Sequence, residues 1–187
     1  MLDLIEDLAQ LRAASLAAIS AIDPSEVHGF ASDLAAVLRE GGTIFAAGNG
    51  GSATQAQHFA SELVGRFQRA RQGLSALALN ADSTVMSAIA NDFGYERVFA
   101  RQLLAQGRHA DVFVPISTSG LSENLLEACR AAQTIGIRVM SMSGPEPNPL
   151  QALSQRCLIV RSPSTAAIQE AHLTMIHMIC RVIDHAV

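Results

Sequence analysis

Apolar positions recur along this chain with two alternating periods. In residues 2–21, Leu4, Leu8, Leu11 and Ala18 fall at helical spacing. A second helical stripe, Val27, Phe30, Leu34, Val37 and Leu38, follows the start signal Asp23-Pro24-Ser25-Glu26. There Asp23 reads as the N-cap, Pro24 as the first helical position and Glu26 as the capping-box partner. Gly41-Gly42 ends this stretch, so the chain is expected to open with an α-hairpin. Beyond it, short β-rich runs alternate with helical segments. Strands are predicted at Thr43–Ala47, Leu74–Leu79, Asp111–Ile116, Ile137–Met142 and Cys157–Val160. Helices are predicted over 53–68, 83–91, 95–106, 122–135 and 166–186, the last carrying Ile168, Met175, Ile176, Ile179 and Ile183. Such alternation predicts an α/β, doubly wound parallel sheet. With no repeat, low-complexity tract or linker, residues 1–187 read as one domain, with 1–40 as a leading helical hairpin.

Composition narrows the chemistry. The hydrophobic share of 49% is high for 187 residues, while charged residues supply 16%. Burial of apolar side chains between subunits is the natural outlet, so an oligomer is expected. A net charge of −4 with no basic patch argues against nucleic acid as a partner. All thirteen basic residues are arginines. Without lysine there is no Schiff-base chemistry, no pyridoxal-phosphate anchor and no Walker-type phosphate lysine. Cys129, Cys157 and Cys180 fit no disulfide framework or zinc ribbon, which predicts a reducing, cytoplasmic setting. The acidic start MLDLIEDLAQ is unlike a signal peptide, and no apolar run approaches membrane-spanning length.

The candidate chemistry lies at two predicted strand ends, where ligands bind in open parallel sheets. After the first strand comes Gly48-Asn49-Gly50-Gly51-Ser52, where glycines let the backbone approach an anion at a helix N-terminus. After the third comes Ser117-Thr118-Ser119-Gly120, with Ser122 beyond. Either motif alone also reads as an ordinary strand-to-helix turn with a serine cap. Together they predict a phosphate cradle built without lysine. One to two turns into the helix after the first motif, His58 and Glu62 are four residues apart and share a face, a spacing for an acid/base or metal pair. Arg66, a turn further, reads as an ion-pair partner of Glu62. In the last helix, His177 has apolar neighbours that also suit burial, and His172 reads as a core or interface residue. His28, His109 and His185 read as surface residues.

The segments GNGGSA, HFAxEL (from His58), AIANDFGYE (from Ala88), ISTSG (from Ile116) and QEAHxxxIH (from Gln169) resemble the phosphoheptose isomerases of the sugar-isomerase (SIS) fold. The resemblance spans nearly the whole chain, with the motifs in the family's order. It implies an SIS-type, flavodoxin-like five-stranded parallel sheet flanked by helices, with the leading hairpin used in oligomerisation. It also implies isomerisation of D-sedoheptulose 7-phosphate to D-glycero-D-manno-heptose 7-phosphate, for bacterial heptose-containing glycans such as lipopolysaccharide. A homotetramer with sites between subunits and one Zn2+ per active site are further implications. Carried over by residue, the metal site would comprise His58, Glu62, Gln169 and His177, with Glu62 also the base and His177 the acid. Substrate would be held by Asn49, Gly50, Gly51, Ser52, Asn91, Asp92, Ser117, Thr118, Ser119, Ser122 and Gln169.

Gln169 and His177 are eight residues apart, about 12 Å along a regular helix. Either Gln169 precedes regular helix, or the two reach one metal from different subunits; His172 is the alternate ligand, ranked below His177. Leu121 stands where the family usually has asparagine, and Ala167 where a basic residue is common, so the natural sugar can differ. Two competing readings are a non-catalytic SIS-fold tetramer that binds the replication initiator and a sugar-phosphate-sensing regulatory module. The first loses the equivalents of Glu62 and His177, both retained here.

Overall fold

A computed structural model describes residues 4–187; Leu2 and Asp3 of the expected first helix lie outside the described residues. Five strands form one parallel sheet in the order β2-β1-β3-β4-β5. They are β1 (Ile44–Gly48), β2 (Ala76–Ala78), β3 (Val112–Ser117), β4 (Arg138–Ser143) and β5 (Arg156–Ile159). Each predicted strand is present, displaced by a residue or two. The helices are α1 (Leu4–Ser20), α2 (Pro24–Arg39), α3 (Gly51–Val64), α4 (Ser83–Phe93), α5 (Ala100–Gln106), α6 (Glu123–Thr134), α7 (Pro149–Ala152) and α8 (Thr165–Ala186).

Three differences from the sequence reading have local causes. The helix expected over 53–68 starts two residues earlier and stops at Val64, where Gly65 donates its N–H to the Ser61 carbonyl. Arg66 is therefore off the helix and loses its i,i+4 relation to Glu62. The segment 95–106 is broken into a 3-10 turn at Tyr95–Arg97 and α5. Finally α7, a single turn, starts at Pro149 under an Asn148 cap.

Alternation along the strands feeds two cores. Ile44, Ala46, Val112, Val114, Ile116, Met140 and Met142 face α1, α2, α3 and α8. Phe45, Ala47, Phe113 and Val139 face α5, α6 and α7. Because both faces are covered, β1 and β3 are buried throughout. The capping signal of α2 is realised: Asp23 accepts from the Ser25 N–H at 2.8 Å. Both α1 and α2 pack on α8. The whole expected α8 stripe is buried, whereas Leu4, Leu8, Leu11 and Leu16 of α1 are exposed. Among the described residues, no helix is long and apolar enough to cross a membrane.

One buried polar contact ties α8 to the end of β4. His172 is fully buried, with Nε2 3.2 Å from the Ser143 carbonyl oxygen. A carbonyl only accepts, so the Nε2–H tautomer is present, leaving Nδ1 without a hydrogen-bond partner. Burial pushes this imidazole down to about 4 from 6.5, against the bond to Ser143, which raises it. Between those values the unfolded chain takes up a proton that the folded chain refuses. The contribution of a neutral His172 is therefore complete above pH 6.5 and is lost as pH falls toward 4. The predicted loss is on the order of 3 kcal/mol. Denaturant unfolding between pH 7 and 4.5 measures it, and His172→Gln should flatten that part of the decline.

Candidate functional site

The sheet order reverses direction between β1 and β3, and the loops that leave those strands diverge from one crevice. The first loop consists of Asn49 and Gly50 between β1 and α3. Gly50 has φ 54° and ψ −124°, a conformation that a side chain would strain. The second loop runs from Ser117 to Ser122, between β3 and α6. Side chains of Asp23, Asp82, Asn148 and Ser164 cap α2, α4, α7 and α8. By contrast, α3 and α6, like the short α5, have no side-chain cap. The two helices that start at the crevice thus keep N-terminal N–H groups for an anion.

Within the second loop the Ser117 hydroxyl is central. It accepts from the Gly120 N–H at 3.0 Å and lies 3.5 Å from Ser119 Oγ and 3.4 Å from Ser122 Oγ. Ser119 Oγ accepts from the Leu121 N–H at 3.2 Å. Ser117 is buried, Thr118 and Ser122 are half-buried, and Ser119 and Leu121 face outward.

A reciprocal amide pair holds the loops together. Asn49 donates to Asn124 Oδ1 at 2.9 Å, and Asn124 donates to Asn49 Oδ1 at 2.9 Å. The Tyr95 hydroxyl adds a bond to the same Asn49 oxygen at 3.0 Å. Sequence reasoning passed over Asn124 and Tyr95, although Tyr95 lies inside AIANDFGYE. No local spacing marks a pairing across 75 residues. Beside this pair, a cavity of about 390 Å³ is lined by Gly48, Asn49, Asn80, Ser83, Ser87 and Tyr95, among others. Asn91 and Asp92, expected at the substrate, are exposed at the end of α4. They bond to each other at 2.8 Å and line neither this cavity nor the one described next.

On the other flank of α3, His58 Nε2 lies 3.0 Å from His177 Nε2 and 3.6 Å from Glu62 Oε1. The two imidazoles meet edge to face, with centroids 5.2 Å apart. Phe67 stacks on His177 at 5.7 Å. All three residues are half-buried, and one donor atom from each lies within 4.8 Å of the others. A cavity of about 330 Å³ opens here, lined by Gly51, Thr54, Gln55, His58, Leu173 and His177. Two ring nitrogens and a carboxylate oxygen form a donor set that zinc accepts. In a tetrahedral site such donors stand about 3.4 Å apart, close to the separations present.

Gln169 and His172 are placed differently from that trio. α8 is regular from Thr165, which removes the expectation that Gln169 precedes regular helix. Gln169 instead stands over the first loop, where a Cβ on Gly51 would come within 2.5 Å of its Nε2. Its backbone carbonyl accepts from Gln55 Nε2 at 2.5 Å. His172, the alternate ligand, is buried against Ser143 and is not in the group that gathers His58, Glu62 and His177. Ser52, named for the substrate, is also buried, under the first loop.

The SIS domain family model matches residues 9–144. A phosphoheptose isomerase of Streptomyces coelicolor is 55% identical over 82% of this chain; the match spans 66% of that relative, just under two thirds. One of Helicobacter pylori is 49% identical over 79% of this chain and 77% of its own length. A solved phosphoheptose isomerase structure from Francisella tularensis superposes with a TM-score of 0.89 at 32% identity. It covers 99% of this chain and 100% of its own.

The crevice predicts an anion site that needs no lysine. Inorganic phosphate should bind, and Ser119→Ala should weaken it about fivefold through one lost contact of about 1 kcal/mol. Titration calorimetry measures this, and unchanged affinity would remove Ser119 from the cradle.

Proposed function

The chain belongs to the SIS-domain family and, within it, to the phosphoheptose isomerases, and we propose that it interconverts D-sedoheptulose 7-phosphate and D-glycero-D-manno-heptose 7-phosphate. The observation that carries this reading is the convergence of Glu62, His58 and His177 beside the paired loops of the β1/β3 crevice. The Ser117–Ser122 loop and the starts of α3 and α6 would hold the phosphate, and Asn49 with Gln169 would meet the sugar's hydroxyls. So held, the sugar would present its reacting carbons between α3 and α8.

The chemistry needs one proton removed from C1 of the ketose and one delivered to C2. Glu62 would take the C1 proton while His177 protonates the C2 oxygen, giving an enediol. Loss of the O1 proton to His177 and return of the carbon-bound proton to C2 would yield the aldose and restore both groups. A zinc ion held by His58, Glu62 and His177 would act as a Lewis acid toward the sugar oxygens. Gln169 stands about 12 Å along α8 from His177, so it would join such an ion from a neighbouring copy.

The enzyme would work as a homotetramer in the cytoplasm, supplying heptose for glycans. Support for assembly comes from the exposed leucines of α1 and from an apolar groove of about 530 Å³ between α2 and α8. That groove includes Val27, Met178 and Val182, and it shares Phe67 and His177 with the site. The three cysteines are free. Burial raises the thiols of Cys129 and Cys180 to about 12 and that of Cys157 to about 11, so all three stay protonated at neutral pH.

Two outcomes follow. Glu62→Gln and His177→Asn should each lower turnover of sedoheptulose 7-phosphate by about 100- to 10,000-fold. Both variants should keep the wild-type assembly, and near-normal turnover in them would sink the acid/base assignment. Sedimentation should show a tetramer at micromolar concentration, with Leu8→Glu/Leu11→Glu driving dissociation; a monodisperse wild-type monomer would count against it.

A further inference from the structure

The segment between α3 and β2, residues 65–75, carries no motif, yet one carboxylate organises it. Asp184 on α8 is 2% exposed. It accepts from the backbone N–H of Gln68 at 2.8 Å, from that of Arg69 at 3.0 Å and from Arg71 Nε at 2.8 Å. Arg69 Nη1 also donates to the Asp184 carbonyl at 3.2 Å. The rest of the Arg71 guanidinium turns to α3. Nη2 donates to the Glu62 carbonyl at 2.9 Å, and Nη1 to those of Leu63 at 2.8 Å and Gln72 at 3.1 Å. Carbonyls in the last turn of a helix lack intrahelical partners, and only a planar fork serves several of them together with a carboxylate.

What this pair holds is the frame of the acid/base site. Glu62, whose carbonyl Arg71 grips, is on α3. His177 lies two turns before Asp184 on α8. Phe67, immediately before the two amides that Asp184 collects, stacks on the His177 ring at 5.7 Å and 22°.

We propose that Arg71 and Asp184 form a positioning clamp that sets the spacing of α3 and α8 and seats Phe67 on His177. Through it, Glu62 and His177 face the same two carbons. This rests on the isomerase reading. Neither clamp residue lines the cavity beside His58 and His177, and Phe67 acts through His177.

Truncating either side chain would leave several buried donors and acceptors unpaired and threaten folding, so the test uses near-isosteric changes. Arg71→Lys keeps the charge but loses the fork. Asp184→Asn keeps the shape but loses the charge, and Phe67→Leu leaves the clamp intact while removing the ring. Full-length protein is assayed for aldose formation from sedoheptulose 7-phosphate and for competitive inhibition by inorganic phosphate. The phosphate loops are tied by Asn49 and Asn124, apart from the clamp. All three variants should lose at least about tenfold in kcat, as small misplacements of reacting groups do. Phosphate inhibition should stay at the wild-type value, and Phe67→Tyr should restore kcat. In NMR spectra the His177 imidazole resonance of Arg71→Lys and Asp184→Asn should move toward its position in Phe67→Leu, because the ring current is lost in each.

A structural role alone predicts kcat falling only in proportion to the folded fraction measured by circular dichroism, with kcat per folded molecule unchanged, and that pattern would overturn the clamp. So would wild-type kcat in the variants, or an unmoved His177 resonance. If wild type binds phosphate yet never converts the sugar, the isomerase reading falls, and the resonance still decides whether the clamp exists.

Discussion

The spacing of the site depends on one straight helix. At 22 residues, α8 is about 33 Å of rigid backbone, and its apolar stripe is fixed against the sheet. The polar residues left over on it fall at set intervals beside α3, which runs the same way. Three rungs join the two helices. Gln55 reaches the Gln169 carbonyl, His58 meets His177, and the carbonyls of Glu62 and Leu63 reach Asp184 through Arg71. Each rung serves a different task because a helix cannot bring residues eight apart to one point. Gln169 therefore stands at the loop end and His177 beside His58 and Glu62.

The second constraint is the reversal of strand order at β1 and β3. It points two helix starts into one crevice, and the chain leaves both without side-chain caps. With no lysine anywhere, what the crevice offers an anion is N–H groups and hydroxyls fixed by the fold. Fixed dipoles hold a ligand only if the loops keep their separation. The Asn49–Asn124 pair maintains it, and Tyr95 gives Asn49 a further fixed bond.

Periodicity made the sheet legible, because strands buried on both faces read as short apolar runs between helical stripes. Glycine and serine clusters marked both crevice loops, and the i,i+4 spacing of His58 and Glu62 marked their shared face. The residues that tie these parts together were not legible. Asn124 pairs across 75 residues and Asp184 across 113, distances at which spacing carries no signal. Phe67 was hidden for a local reason. Extending the helix to residue 68 put it on a helical face, although Gly65 was available as a stop signal. Asn91 and Asp92 lie in a motif that the sequence marked, and their side chains bond to each other at the end of α4. The helical spacing of Leu4, Leu8 and Leu11 was legible, but spacing alone did not show that these leucines stay exposed on α1.

The clamp also bears on how the enzyme's response to acidity is to be interpreted. Burial raises the affinity of Asp184 for a proton, but the N–H groups of Arg69 and Gln68 and the Arg71 guanidinium outweigh it and hold the carboxyl below its usual range. Arginine stays charged at any pH an enzyme meets. The tie between α3 and α8 therefore keeps its charge from mild acid to strong base. On the alkaline side of neutrality, where His172 is already neutral, the frame that holds the site keeps one charge state.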